Sequence, residues 1–195
     1  MPIPLVRSRG LSLLNFWHHV LPVRCVKVFV LLATAAAAAV AAASSQAVTI
    51  TRTIVLDRSI AGVALGQTRA SIEQRIGAGY VLGGARTDTS TNPPQHVERV
   101  VYDAAGLYVT YVSAGATARQ LRAGKAVVLE TTWTSFLTPQ GVHVGSALAA
   151  VKAIPGVRCF ASVCQHGYAG RSGGTSFLID TIHRKVVRIV VSFAR

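Results

Sequence analysis

The chain has 195 residues, 51% of them hydrophobic, and its 20 Lys and Arg outnumber 7 Asp and Glu to give a formal net charge of +13. No carboxylate has a partner at helical spacing, so nothing supports hydrolysis by a pair of acids. The basic residues are scattered, with Arg184 and Lys185 the one adjacent pair beyond residue 47, which speaks against a specific nucleic-acid or heparin-binding tract.

Residues 1–47 hold Arg7, Arg9, Arg24 and Lys27 but no acid, the charge asymmetry of an export signal. The run from Val28 to Ala43 is apolar and mostly alanine, and it leads into Ser44-Ser-Gln-Ala47, whose small residues Ser45 and Ala47 suit a signal peptidase. A bilayer-spanning helix needs about 20 apolar residues. The expectation is therefore a signal peptide over 1–47, with an uncleaved N-terminal anchor as the alternative and the sole route to a membrane. Cys25 precedes the apolar run, so it cannot be the lipidated first residue of a mature lipoprotein. Loss of four basic residues with the signal leaves a mature charge of about +9, which attracts anionic surfaces or an acidic partner. The mature part is one domain's worth of chain and long enough to bury a core.

The mature part repeats itself. Gly62-Val-Ala-Leu-Gly-Gln-Thr-Arg-Ala-Ser-Ile-Glu-Gln-Arg-Ile-Gly77 aligns without gaps on Gly141-Val-His-Val-Gly-Ser-Ala-Leu-Ala-Ala-Val-Lys-Ala-Ile-Pro-Gly156. Gly62, Val63, Gly66, Ala70 and Gly77 face Gly141, Val142, Gly145, Ala149 and Gly156. In each copy a short extended piece turns at a glycine, and Thr68 or Ser146 caps a helix of about nine residues. Ile72 and Ile76, or Leu148 and Val151, supply its apolar stripe. Gly77 and Gly156 end it, the second helped by Pro155.

Strand-forming residues follow each helix. The first set is Glu98 to Tyr102, a turn at Asp103 to Gly106, Leu107 to Val112, and Ala126 to Phe136. The second is Gly156 to Phe160, Thr175 to Asp180, a turn through Thr181 to Lys185, and Val186 to Phe193. Loops are expected at 86–95, 113–124 and 165–174. The predicted fold is α+β: two tandem helix-plus-antiparallel-sheet units in two layers, 48–137 and 138–195, joined at Thr138 to Gly141.

At the paired Gly-apolar-x-x-Gly segments the chain resembles the small modules of the β-lactamase inhibitory protein type and the outer-membrane lipoproteins of the SmpA/OmlA type. The resemblance covers about Ser59 to Phe193. It implies a secreted protein-binding module without catalysis, using aromatics on an open sheet face. The missing lipid-attachment cysteine departs from the lipoprotein pattern.

Cys159 and Cys164 are the even pair left after export, and their spacing suits a disulfide across a tight hairpin in an oxidising compartment. A metal set of Cys159, Cys164, His166 and His183 matches no common ligand spacing, so no metal or cofactor is expected. Gly170-Arg-Ser-Gly-Gly174 reads literally as G-x-S-x-G, but a glycine-rich loop leading into a strand is the wrong context for Ser172 as a nucleophile. His96, His143, His166 and His183 are scattered without an orienting acid in sequence, and neither Asp57 nor Asp88 has a neighbouring carboxylate. Gly83-Gly84 and Gly173-Gly174 lack the Lys and helix start of a phosphate loop.

Aromatic residues are the remaining lead. Trp133 alternates with Val127 and Leu129, which predicts core packing, with contact to a partner as the alternative. Tyr108 and Tyr111 point to opposite faces of one strand, so one of the two is expected on the surface. Trp133, Tyr108 and Tyr111 are thus the candidate contacts for an extracellular or envelope protein. A secreted hydrolase and a binder of anionic envelope components are the alternatives.

Overall fold

The structure, a computed structural model, describes residues 50–167 and 173–193. The expected signal over 1–47 and Ser172 lie outside the described residues. Strands β1 (Ile54–Val55), β2 (Ser59–Ile60) and β3 (Val63–Ala64) form a three-stranded sheet, and helix α1 (Arg69–Ile76) follows. Next come β4 (Tyr80–Val81), β5 (Arg86–Asp88), β6 (Gln95–Tyr102), β7 (Leu107–Ser113), helix α2 (Ala118–Ala123) and β8 (Lys125–Thr131). Helix α3 (Leu148–Lys152) precedes β9 (Arg158–Phe160), β10 (Val163–His166), β11 (Gly174–Asp180) and β12 (Lys185–Ser192). The last nine strands make one sheet in the order β4-β6-β7-β8-β12-β11-β10-β9, with β5 also on β6. The fold is α+β in character and dominated by its sheet.

That order reads alike outward from the central β8–β12 pair, and the detail on the two sides corresponds. Gly62, Gly66 and Gly77 have φ of 71, 81 and 89°, and Gly141, Gly145 and Gly156 have 76, 99 and 82°. The Gly66 N–H donates to Ala126 O and the Ala126 N–H to Gln67 O, while Gly145 donates to Val186 O and Val186 to Ser146 O. Arg69 N–H donates to Gly124 O, as Leu148 N–H does to Arg184 O. Each helix start is thereby fastened to the first residues of a later strand, β8 or β12. Both strands also carry a bulge: Val127 is the extra residue between the partners of Tyr111 and Thr110, and Val187 between those of Ile179 and Leu178.

Gly66 and Gly145 test this correspondence directly. A Cβ on either would meet nothing closer than 3.8 Å, so substitution isolates the cost of the backbone conformation. Gly66→Ala and Gly145→Ala should each lower stability by about 1–3 kcal/mol, read by urea unfolding. A cost at one site and none at the other would mean that the two turns are not equivalent.

One core lies on one face of the sheet. Ile72 and Ile76 of α1, and Val151 with Ile154 at α3, meet Val100, Leu107, Val109, Tyr111, Leu129, Phe177, Ile179, Ile189 and Val191. Burying each large aliphatic or aromatic side chain contributes about 1.5–3 kcal/mol.

Several boundaries differ from expectation for local reasons. The 86–95 segment contains β5, and β6 begins at Gln95. The 113–124 segment holds α2, fixed by a capping box in which Thr117 and Gln120 bond reciprocally; it buries no side chain, so it carries no apolar stripe to betray it. The segment expected as a loop at 165–174 begins inside β10, which runs to His166. Helix α3 has five residues and its N-cap Ala147 makes no side-chain bond, because Ser146 Oγ instead accepts from the His143 N–H at 3.0 Å. Gln67 does the same for the Ala64 N–H, leaving Thr68 free to cap α1 through the Ser71 N–H.

Candidate functional site

The sheet has one face packed on the helices and one that no described helix covers. Alternation along each strand sends Arg99, Tyr108, Thr110, Val128, Glu130, Arg188, Val190, Ser176 and Leu178 to this bare face. The register sets Val101, Tyr108, Glu130, Val190, Ser176, Gln165 and Arg158 in one row across the sheet. Beside this row lies a trough of about 820 Å³, whose lining includes Val97, Thr110, Val112, Val128, Val190 and Gln165.

Near the middle of the row, Glu130 Oε1 accepts from Arg99 Nη2 at 2.8 Å and lies 3.3 Å from Arg188 Nε. The Arg99 guanidinium sits over the Tyr108 ring, 5.0 Å from its centroid, a cation–π contact that orients it. The arginine side chains are 38% and 43% exposed and that of Glu130 is 13%. Pairs this open contribute little to stability; their arrangement matters more for what could bind.

The three aromatic candidates do not converge. Tyr108 is half-buried on the bare face, as strand parity allows. Tyr111 lies in the core at 1% exposure, its hydroxyl hydrogen-bonded to that of Tyr102 at 2.8 Å, so it offers no contact surface and is withdrawn as a candidate. Burial raises the pKa of both phenols, and for Tyr111 the bond to Tyr102 raises it further. Trp133 is 44% exposed and lies outside the sheet, so its expected core position is also corrected. Thr131 is the cause: its Oγ1 donates to Gly106 O and accepts from the Trp133 N–H, turning the chain out of β8. The indole then lies against Gly106, where a Cβ would come within 2.1 Å of the ring.

Cys159 and Cys164 are joined by a disulfide and face each other across β9 and β10. Such a bond is compatible with an oxidising compartment. No helix among the described residues is long and apolar enough to cross a membrane.

Two of the histidines have an acid beside them, one brought from a distant element and one from three residues away in the same turn. His166 Nδ1 lies 2.7 Å from Asp57 Oδ2, and the Thr175 hydroxyl accepts from the Asp57 N–H and donates to Asp57 Oδ1. The cluster ties the β1–β2 turn to β10 and β11, and a Cβ at Gly167 would strike the Asp57 carboxylate at 2.7 Å. Its one hydroxyl is thus engaged with the acid, not with the imidazole. His183 pairs with Asp180 in the exposed β11–β12 turn; that bond first, then the N–H groups of Ile182 and His183, hold the Asp180 carboxyl below its usual pKa. His143 Nδ1 meets Val144 O and His96 Nδ1 meets the Thr87 hydroxyl. Among the described residues no group of three or more His, Cys, Asp or Glu could hold a metal ion.

A second ionic cluster lies on the covered face. Arg69 of α1 bonds Glu73 at 2.7 Å and Glu98 of β6 at 2.8 Å. Burial opposes the charged guanidinium, but the Glu73 hydrogen bond and the charges of Glu73 and Glu98 outweigh it, and its pKa rises.

No protein-family model matches the chain, and no curated protein matches it. The crystal structure of the uncharacterized protein yfeY from Escherichia coli is similar, with a TM-score of 0.39 and 11% identity over 72% of this chain and 95% of that one, a likeness too distant to carry an argument about function.

Proposed function

We propose that the chain is a tandem duplication of one helix-plus-antiparallel-sheet unit, exported from the cytoplasm, whose bare sheet face binds a protein in the extracellular space or cell envelope without catalysis. The observation that carries this reading is a contrast between the two faces. Most positions that correspond through the paired registers are apolar on the covered face in both halves, Val109 with Phe177, Leu129 with Ile189 and Ala126 with Val186, or pair a buried tyrosine with an aliphatic residue, Tyr111 with Ile179; the exceptions, Leu107 with Thr175 and Thr131 with Val191, exchange an aliphatic residue for a buried threonine. On the bare face the counterparts differ in kind: Tyr108 with Ser176, Thr110 with Leu178, Val128 with Arg188, Glu130 with Val190. Packing constrains the first set. The second set is free of that constraint, and it concentrates an aromatic ring and clustered charges where a partner could reach them.

A hydrolase would centre on Asp57 and His166, but the hydroxyl in that cluster is engaged by Asp57. An anionic polymer or lipid would be held by diffuse charge and released by salt.

Capture from culture supernatant and envelope extract with the full chain should recover a stoichiometric protein at both low and moderate salt. Tyr108→Ala should weaken that capture about 10-fold or more, whereas Gln74→Ala, on an exposed turn of α1, should leave it unchanged. Recovery of no partner even at low salt would sink the proposal.

A further inference from the structure

Two guanidinium groups at the middle of the bare face share a single carboxylate, and both approach the same oxygen, Glu130 Oε1. The local balance is one positive charge in excess. A guanidinium carries five N–H donors, so one carboxylate oxygen leaves most of this donor capacity to other acceptors. Tyr108 supports Arg99 from below, which reduces the ordering that a ligand would otherwise have to impose. Val101, Val190 and Leu178 surround the cluster on the same face, partly displacing water and strengthening a charged hydrogen bond made there.

Folding does not require this arrangement. In the other half of the sheet the counterparts of Glu130 and Tyr108 are Val190 and Ser176, and the counterpart of Arg188 is Val128. The net positive charge of the chain would also steer an acidic partner toward it.

We infer that Arg99 and Arg188 form a receptor for a carboxylate side chain, presented by an acidic segment of the partner protein whose flanking apolar residues rest on Tyr108 and Val190. This rests on the reading of the bare face as protein-binding. The acidic residue of the partner takes up the donors that Glu130 leaves unused. Planar, bidentate pairing with carboxylate is the geometry for which arginine is suited. A lipid phosphate is the rival anion, and anionic vesicles distinguish it from a carboxylate peptide.

The test uses the full chain and two short acetylated, amidated peptides of Leu and Tyr, one with Glu and one with Gln in its place. The Glu peptide should shift the side-chain Nε–Hε resonances of Arg99 and Arg188 and bind at least about 10-fold more tightly than the Gln peptide, the scale of a charge-assisted hydrogen bond. Arg188→Gln should remove most of that difference. Glu130→Gln deletes the competing carboxylate and should tighten the Glu peptide several-fold, a direction that a misfolded variant would not produce. Equal binding of the two peptides on this face would overturn the carboxylate receptor while leaving a protein-binding face standing. Anionic phosphatidylglycerol vesicles binding with the same dependence on Arg188 would also overturn it. If neither peptide moves the two arginine resonances the receptor is again overturned, and the protein-binding reading is then judged separately by capture with Tyr108→Ala.

Discussion

Phe177→Ala should lower the free energy of unfolding by about 3–5 kcal/mol, a large share of the about 5–15 kcal/mol that holds a domain together. Phe177 is fully buried, and on β11 it lies opposite Cys164 of β10 and Ile189 of β12. Truncation there leaves a void that strands fixed on both sides cannot close. Leu178→Ala, one residue along on the bare face, creates no enclosed cavity and should cost less than about 1.5 kcal/mol. Urea unfolding of both variants checks the assignment of faces. Similar losses at the two positions would mean that the bare face is buried in the folded protein.

Arg69→Leu should cost about 3–5 kcal/mol, because removing one member of a buried ionic cluster leaves the remaining charges uncompensated. The Glu98 side chain is only 6% exposed and Arg69 reaches it from α1; without the guanidinium the carboxylate faces the core alone. The double variant Arg69→Leu/Glu98→Leu should recover part of the loss, since it also removes the carboxylate left in the core, while Glu73 keeps only Arg122, 3.9 Å away. The second half of the molecule already has an apolar residue here, for the counterpart of Arg69 is Leu148. Denaturant curves of the two single variants and the double variant measure the coupling. A double variant as unstable as the sum of the singles would show that the pair does not act as a unit. The raised pKa of Arg69 has a definite sign: while Glu73 and Glu98 are ionised, its contribution is present below the ordinary arginine value and is lost as pH climbs through the raised one.

Much of the local structure was legible because its causes are local. Thr68 caps α1, Gly77 ends it, and Ile72 and Ile76 turn inward, each from residues within two helical turns. Asp103 to Gly106 turns between β6 and β7, and Cys159 and Cys164 pair across five positions of chain. Strand endings were harder. Trp133 falls in phase with Val127 and Leu129, yet Thr131 bonds to Gly106, 25 residues away, and ends β8 first. Helix α2 escaped notice because a capping box holds six residues that bury nothing, and apolar periodicity is silent about such a helix.

The candidate site was legible only in part. Strand parity places Tyr108 and Tyr111 on opposite faces but does not say which face receives the helices; α1 and α3 decide that Tyr111 is core and Tyr108 is surface. Asp57 and His166 lie 109 positions apart, and no spacing rule joins them. Glu130 gathers Arg99 from β6 and Arg188 from β12 because β7 and β12 happen to be the strands on either side of β8, and strand order is a property of the whole sheet. Residue chemistry acting over a few positions therefore determined the β6–β7 turn, the Thr68 cap and the disulfide from sequence alone. The bare face, the Asp57–His166 tie and the paired arginines waited on tertiary structure, since each depends on which distant strands become neighbours and on which side of them the helices settle.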